Sequence, residues 1–383
     1  MSHDQIPFNR PTETGLELDY MTKALRGGHT ASSGPFTKRA SDLLKDEIPG
    51  VKDVLLTTSC TDALEMTALM LDIGPGDTVI VPSFTFVTSA LAFARQGARI
   101  RFCDIDDQRL GLDPTKLGAL MDETVKAVVV VHYAGIPCLI DEIVDVVAPY
   151  NCAIVEDNAH GLFGAHKGRP LGTFGTFATL SFHETKNFIC GEGGALLLNE
   201  QDQLDRAHTI LDKGTNRRQF LLGQVDKYSW SDTGSSFGMS DLLAAFLLAQ
   251  LECKDDVLHS REQVAQWYFE RLSPIADDLT IDLPFIPVDC QPAFHMFYVK
   301  LDGLETRNAV LGKMAADGIK STFHYIPLDT SPAGQQFGDM GMGDCPVTAS
   351  TSDRLLRLPY FTNMTENEVE RSVASFVAAA KST

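Results

Sequence analysis

The chain has 383 residues, 44% of them apolar, and carries 32 basic against 51 acidic side chains, a net charge of −19. The apolar share excludes a mainly disordered chain. So acidic a surface repels phosphate backbones and argues against nucleic acid or an anionic membrane as a partner.

The length predicts two to three domains. The N-terminal run MSHDQIPFNRP has neither a basic nor an apolar leader segment. The longest apolar run, near Ala127, is too short to span a bilayer, so a cytoplasmic protein without membrane partners is expected. Eight cysteines (60, 103, 138, 152, 190, 253, 290 and 345) form no CxxC pair and no zinc-finger spacing with histidine. They read as small buried hydrophobes in a reducing compartment, and no metal site is expected.

In chain order, buried strands are predicted at 54–58, 78–82, 100–105, 127–132, 153–156, 178–182 and 195–198. These runs are rich in Val, Ile, Leu and Phe with little alternation, as in strands covered on both faces. Helical patterns at 62–71, 88–96 and 140–150 lie between them. Such alternation predicts a three-layer α/β fold around a mostly parallel sheet, with one antiparallel strand among the later members. A helix at 203–211 precedes a polar stretch at 213–236 that reads as loop. Helices at 240–258 and 260–272 then lead to a smaller C-terminal α/β unit. That unit is predicted to hold strands at 297–301 and 321–324 and helices at 307–317 and 366–381. The division falls at 1–260, a large domain with an N-terminal arm, and 261–383, a small domain.

Four segments in the first unit carry chemistry. Thr58-Ser59-Cys60-Thr61-Asp62 sits at a strand-to-helix junction. Ser59 and Asp62 are spaced as a capping pair, and the amides of Cys60 and Thr61 with the Thr61 hydroxyl offer a phosphate site. Phe86, just after a strand, can stack on a flat ligand. The strand ending Glu156-Asp157-Asn158-Ala159-His160 delivers Asp157 into the crevice at the sheet's carboxyl end, where a bound cation would satisfy it. Lys186, in Ser181-Phe182-His183-Glu184-Thr185-Lys186-Asn187, follows a strand and precedes Gly191-Glu192-Gly193-Gly194. A lysine in a partly dry pocket becomes a nucleophile for carbonyls, and the glycines would let backbone approach a ligand closely. A phosphate cradle, a flat ring, a carboxylate for a protonated ring nitrogen and an imine-forming lysine together match the needs of pyridoxal 5'-phosphate (PLP).

The runs EDNAH, SFHETKN and GEGG resemble the DegT/DnrJ/EryC1/StrS sugar aminotransferases, a family of fold-type I, aspartate-aminotransferase-like PLP enzymes. The resemblance extends from Pro7 to Pro359. It implies that Lys186 holds PLP and moves the reacting proton, and that Asp157 pairs with the ring nitrogen. It places His160 at the ring edge, Cys60, Thr61 and Ser181 on the phosphate, and Phe86 against the ring. The segments KGTNR (213–217), GQVDKYSW (223–230), DTGSS (232–236) and HYIPL (324–328) are similar to the branch that aminates dTDP-4-keto-6-deoxy-D-glucose at C4 with L-glutamate, giving the galacto product for surface glycans. Arg217, Arg218, Lys227, His324 and Tyr325 are then candidates for contacting the nucleotide sugar. Some relatives are sugar dehydratases with histidine at the lysine position, and Lys186 here favours transamination. Two readings remain open: another nucleotide-linked ketosugar, or a non-catalytic PLP-fold binding protein. Fold-type I enzymes build each site from two subunits, so a homodimer is implied, with 213–236 at its interface.

Overall fold

The computed structural model describes residues 5–339 and 344–383. Its centre is a seven-stranded sheet. The first five strands in sequence are β1 (Asp53–Thr57), β2 (Thr78–Pro82), β3 (Arg99–Cys103), β4 (Val125–Val131) and β5 (Ala153–Asp157). A short hairpin, β6 (Ala165–His166) and β7 (Arg169–Pro170), lies outside the sheet, which then takes in β8 (Phe177–Ser181) and β9 (Gly194–Leu198). The order is β1-β9-β8-β5-β4-β2-β3. All neighbours pair in parallel except β9, which is antiparallel to both β1 and β8. The carboxyl ends of β1, β4, β5 and β8 therefore meet along one edge, where open α/β sheets bind their ligands.

Successive side chains of each strand enter opposite layers, as a pleat requires. Leu55, Val79, Val81, Val129 and Leu196 face a layer made by α3 (Cys60–Met70), α4 (Thr88–Ala94) and α7 (Leu204–Leu211). Val54, Leu56 and Leu197 face α1 (Glu17–Arg26), α2 (Pro35–Glu47) and α9 (Asp241–Glu252). Ile80, Val128 and Ile154 reach the same side and pack on α5 (Pro114–Leu120) and α6 (Ile140–Val147). The architecture is the three-layer, mostly parallel α/β arrangement of fold type I, with the antiparallel strand identified as β9.

Several local features differ from the sequence reading. The break between the two long helices falls at Cys253 rather than at residue 259, giving α9 and α10 (Lys254–Leu272). The joint coincides with the charged run Glu252-Cys253-Lys254-Asp255-Asp256, where the apolar run of α9 ends. The 213–236 stretch contains a short helix, α8 (Arg217–Leu221). Residues 321–324 do not form a strand; Thr322 makes one isolated bridge to Arg357. The second unit's two-stranded sheet pairs Tyr298–Lys300 with Leu355–Arg357 instead.

A separate apolar cluster gathers Tyr268 and Leu272 of α10 with Phe297, Val299, Met314, Leu356, Phe361 and Phe376. Ile6 joins this cluster through paired backbone bonds to Gly318 and Lys320. The chain around Ile6 thus packs on the cluster formed by residues 264–379. All eight cysteines are free, with Cys103, Cys138, Cys190 and Cys345 buried and the others half-buried. Among the described residues no helix is long and apolar enough to cross a membrane.

One buried carboxylate fixes the chain just beyond β5. Glu156 is fully buried and accepts from the Gly172, Phe174 and Gly175 amides at 2.8, 2.6 and 2.7 Å, with His132 Nε2 at 2.9 Å. Removing it strands three amide donors in a dry interior. Glu156→Ala is expected to cost about 3–5 kcal/mol of stability, measured by denaturant unfolding. A loss below about 1 kcal/mol would contradict this role.

Candidate active site

A cavity of about 470 Å³ opens at the carboxyl edge of the sheet. It is lined by Cys60, Thr61, Phe86, Asp157, His160, Ser181, Lys186, His324 and Tyr325. The structure thus brings together the cofactor candidates and two of the five substrate candidates, His324 and Tyr325, while Arg218 is exposed outside the cavity. Arg217 and Lys227 do not line it: both are exposed, and Arg217 lies 3.6 Å from Asp212.

The phosphate cradle is built by the turn from β1 into α3. Ser59 has extended backbone and its hydroxyl accepts from the Asp62 amide at 3.0 Å, a true N-cap. Asp62 departs from the expected reciprocal pair and takes the Thr58 hydroxyl instead. The first-turn amides of α3 have no intrahelical acceptor, and they begin at Cys60 and Thr61 on the cavity wall. Strand β9 can lie against this turn because residue 194 is glycine. A Cβ there would sit 2.4 Å from the Cys60 nitrogen. Gly194 therefore serves helix-to-strand packing rather than approach to a ligand. Gly191 has a φ of +86°, which its position in the Lys186 loop requires.

Asp157 ends β5 and is 6% exposed. Its Oδ2 accepts from Ser89 at 2.6 Å, and Ser89 in turn pairs with Thr85 at 2.9 Å. No cation pairs with this carboxylate among the described residues. His160, also buried, stacks on His295 with centroids 4.2 Å apart. Its Nδ1 has no hydrogen-bond partner, and burial holds the ring well below its usual pKa. His295 Nδ1 lies 3.0 Å from Asn187 Oδ1, the neighbour of Lys186, and Arg261 grips the His295 carbonyl at 2.6 Å. Phe86 remains 52% exposed at the cavity mouth, 6.2 Å from the Tyr325 ring.

Lys186 sits in the loop joining β8 to β9. Its amide donates to the His183 carbonyl at 2.9 Å, and Glu184 and Phe182 close the loop onto Gly191 and Gly193. Burial is the main cause that pushes its ammonium down to about 8, with Arg357 acting the same way and Asp157 opposing. The amine is therefore protonated and inert below that pH and nucleophilic above it. Capture of PLP by the apoprotein is expected to accelerate as pH rises through about 8. A rate that instead rises with a midpoint near 10.5, the ordinary lysine value, would contradict a dry lysine.

These residues fit PLP on the structure's own terms. An open helix terminus suits its phosphate, a carboxylate lacking a cation suits its protonated ring nitrogen, and a half-exposed Phe suits its ring. Fold and site define a PLP-dependent enzyme of fold type I, in which that cofactor supplies the electron-withdrawing ring.

The chain belongs to the DegT/DnrJ/EryC1/StrS aminotransferase family, matching it over residues 11–377, and is a PLP-dependent sugar aminotransferase. It is 30% identical over 373 residues to GDP-perosamine synthase of Caulobacter vibrioides, with 97% of each chain covered. It is 29% identical over 372 residues to spore coat polysaccharide biosynthesis protein SpsC of Bacillus subtilis, covering 95% of this chain and 94% of SpsC. Among solved structures it superposes on Spr1654 of Streptococcus pneumoniae, assigned as a sugar aminotransferase, with a TM-score of 0.90 at 26% identity, covering 98% and 99% of the two chains. That protein was solved in PLP- and PMP-forms.

Four site residues escape the sequence reading: Ser89, Asn187, His295 and Arg357. Arg357 had a legible signal, a lone cation in the apolar run LLRLP. His295 likewise interrupts the apolar run AFHMFY. Ser89 and Asn187 had none, because hydroxyl and amide residues are common near helix starts and in loops.

Proposed function

We propose that the protein transfers an amino group from L-glutamate to C4 of dTDP-4-keto-6-deoxy-D-glucose, yielding dTDP-4-amino-4,6-dideoxy-D-galactose for surface-glycan assembly in the cytoplasm. The observation that carries this reading is the single cavity joining Lys186, Asp157 and the α3 N-terminus. The segments 213–217 and 223–230, with their similarity to the dTDP-4-ketosugar branch, support the choice of substrate. The relatives are named for a spore coat polysaccharide and for a GDP-linked sugar, which supports a glycan precursor in general.

The side chains have these roles. The Cys60 and Thr61 amides and the Thr61 and Ser181 hydroxyls bind the cofactor phosphate. Phe86 covers the ring, His160 contacts its edge, and Asp157 holds a proton on its nitrogen. Lys186 anchors the cofactor, then removes the proton from the donor's amino-bearing carbon and delivers one to C4 of the sugar. His324 and Tyr325 border the space left for the hexose.

The protein acts as a homodimer. Leu221, Leu222 and Trp230 are 69%, 59% and 85% exposed on the 213–236 segment, an apolar surface suited to a second copy. The same segment carries Arg217 and Lys227 toward the neighbouring subunit's cavity. An active monomer in sedimentation would contradict the shared site. The substrate is tested by NMR of the product formed from L-glutamate and dTDP-4-keto-6-deoxyglucose. An axial C4 amine is expected. An equatorial amine, or no amine on this sugar, would overturn the assignment.

A further inference from the structure

The residue beside Lys186 is tied to a distant part of the chain. Asn187 is 7% exposed and His295 only 4%. His295 Nδ1 is 3.0 Å from Asn187 Oδ1, and Asn187 Nδ2 donates to the Ala293 carbonyl at 2.6 Å. The amide can face only one way, because turned over it would set its oxygen against the Ala293 oxygen. Asn187 Oδ1 is therefore an acceptor, and the hydrogen of the His295 ring lies on Nδ1. Burial is the main cause that holds this ring well below its usual pKa, with His160 and Lys186 acting the same way, so it is neutral.

His295 is itself firmly held. Arg261, 2% exposed, donates to the His295 carbonyl at 2.6 Å and to the Phe294 carbonyl at 2.8 Å. The His295 amide reaches the Ala134 carbonyl at 3.3 Å, and the Ala293 amide reaches that of Gly135 at 3.0 Å. The ring stacks on His160 with centroids 4.2 Å apart and planes 15° from parallel. An apolar ring would fill this space and stack on His160 with no polar group to bury. What histidine adds is one donor, aimed at the neighbour of Lys186.

We propose that His295 is a positioning residue for amino transfer: through Asn187 it fixes the backbone from which Lys186 reaches the reacting carbons and keeps water from the amine. The inference rests on Lys186 as the lysine that holds PLP. A base that serves two carbons in turn tolerates little displacement, since a misplacement of about 1 Å costs about 100-fold. Asn187, next to Lys186 in the chain, transmits the restraint directly.

The test uses the full chain, as apoprotein and loaded with PLP, with His295→Phe, His295→Asn and Asn187→Ala. The first keeps a ring against His160 and removes the donor. The second places an amide nitrogen where Nδ1 stands and removes the ring. The readouts are the pH midpoint of PLP capture by the apoprotein and the single-turnover rate with L-glutamate. The wild-type midpoint is expected at about 8. His295→Phe should raise it by about one pH unit, because a loosened loop lets water reach Lys186. The same variant should slow single turnover about 30-fold, with half-saturating L-glutamate changed less than about threefold. Asn187→Ala should behave alike, and the double variant should be no worse than Asn187→Ala alone, as for two ends of one bond. His295→Asn should keep the midpoint within about 0.3 pH units, although the lost ring lowers its melting temperature. A His295→Phe enzyme with the wild-type midpoint and rate would overturn the inference, because packing alone would then account for the ring. So would a shift in His295→Asn as large as that in His295→Phe. A wild-type apoprotein that captures no PLP on Lys186 would instead overturn the reading of the site, and this inference with it.

Discussion

Lys186→Ala is expected to lower amino transfer by about 10⁴-fold or more and to leave PLP without a covalent anchor. Two functions are lost at once. The amine that holds the cofactor disappears, and so does the base that shuttles the proton between the reacting carbons. No neighbour replaces it. The Cys60 thiol is pushed up to about 12 by burial, and His160 is held well below its usual value for the same reason. A thiol that stays protonated and a ring that cannot keep a proton make poor substitutes. The fold should tolerate the change, because the loop is closed by backbone bonds of Lys186, Glu184 and Phe182 rather than by the lysine side chain. Single-turnover rates with L-glutamate, alongside a thermal melt, check both halves. A variant that keeps a tenth of wild-type turnover would remove Lys186 from the chemistry.

Asp157→Asn should reduce turnover by about 10²–10³-fold, the kinetic equivalent of losing a buried charge pair of about 3–4 kcal/mol. The amide preserves shape and can keep the contact to Ser89, now 2.6 Å from Oδ2. It cannot hold a proton on a ring nitrogen. The loss is therefore electrostatic, and it should appear in kcat for both half-reactions while the fold is unchanged. Ser89→Ala, which removes only the hydroxyl that orients the carboxylate, should cost about tenfold. Equal activity of wild type and Asp157→Asn would show that the carboxylate faces something other than the cofactor.

Much of this arrangement is legible in the sequence because parallel strands are short apolar runs. All seven sheet strands fall within two residues of their expected positions. The candidate residues Cys60, Asp157 and Lys186 follow from that, since they lie just at or beyond strand ends. The second unit is less legible. Its small sheet relies on three-residue strands, too short for a pattern to distinguish Leu355–Arg357 from the extended chain at 321–324. Arg357 and His295 reach the cavity only through that tertiary packing. The net charge of −19 suggested a difficulty for an enzyme of phosphorylated ligands. The site meets it locally, with a helix terminus and an arginine that has no acidic partner among the described residues.

The most direct test of the central claim, that Lys186 is the lysine carrying PLP, is borohydride reduction of the yellow holoenzyme followed by peptide mapping. The account predicts one stable adduct, on the peptide that contains Lys186, absent after prior incubation with L-glutamate. An adduct on another lysine, or no cofactor retained after reduction, would contradict it.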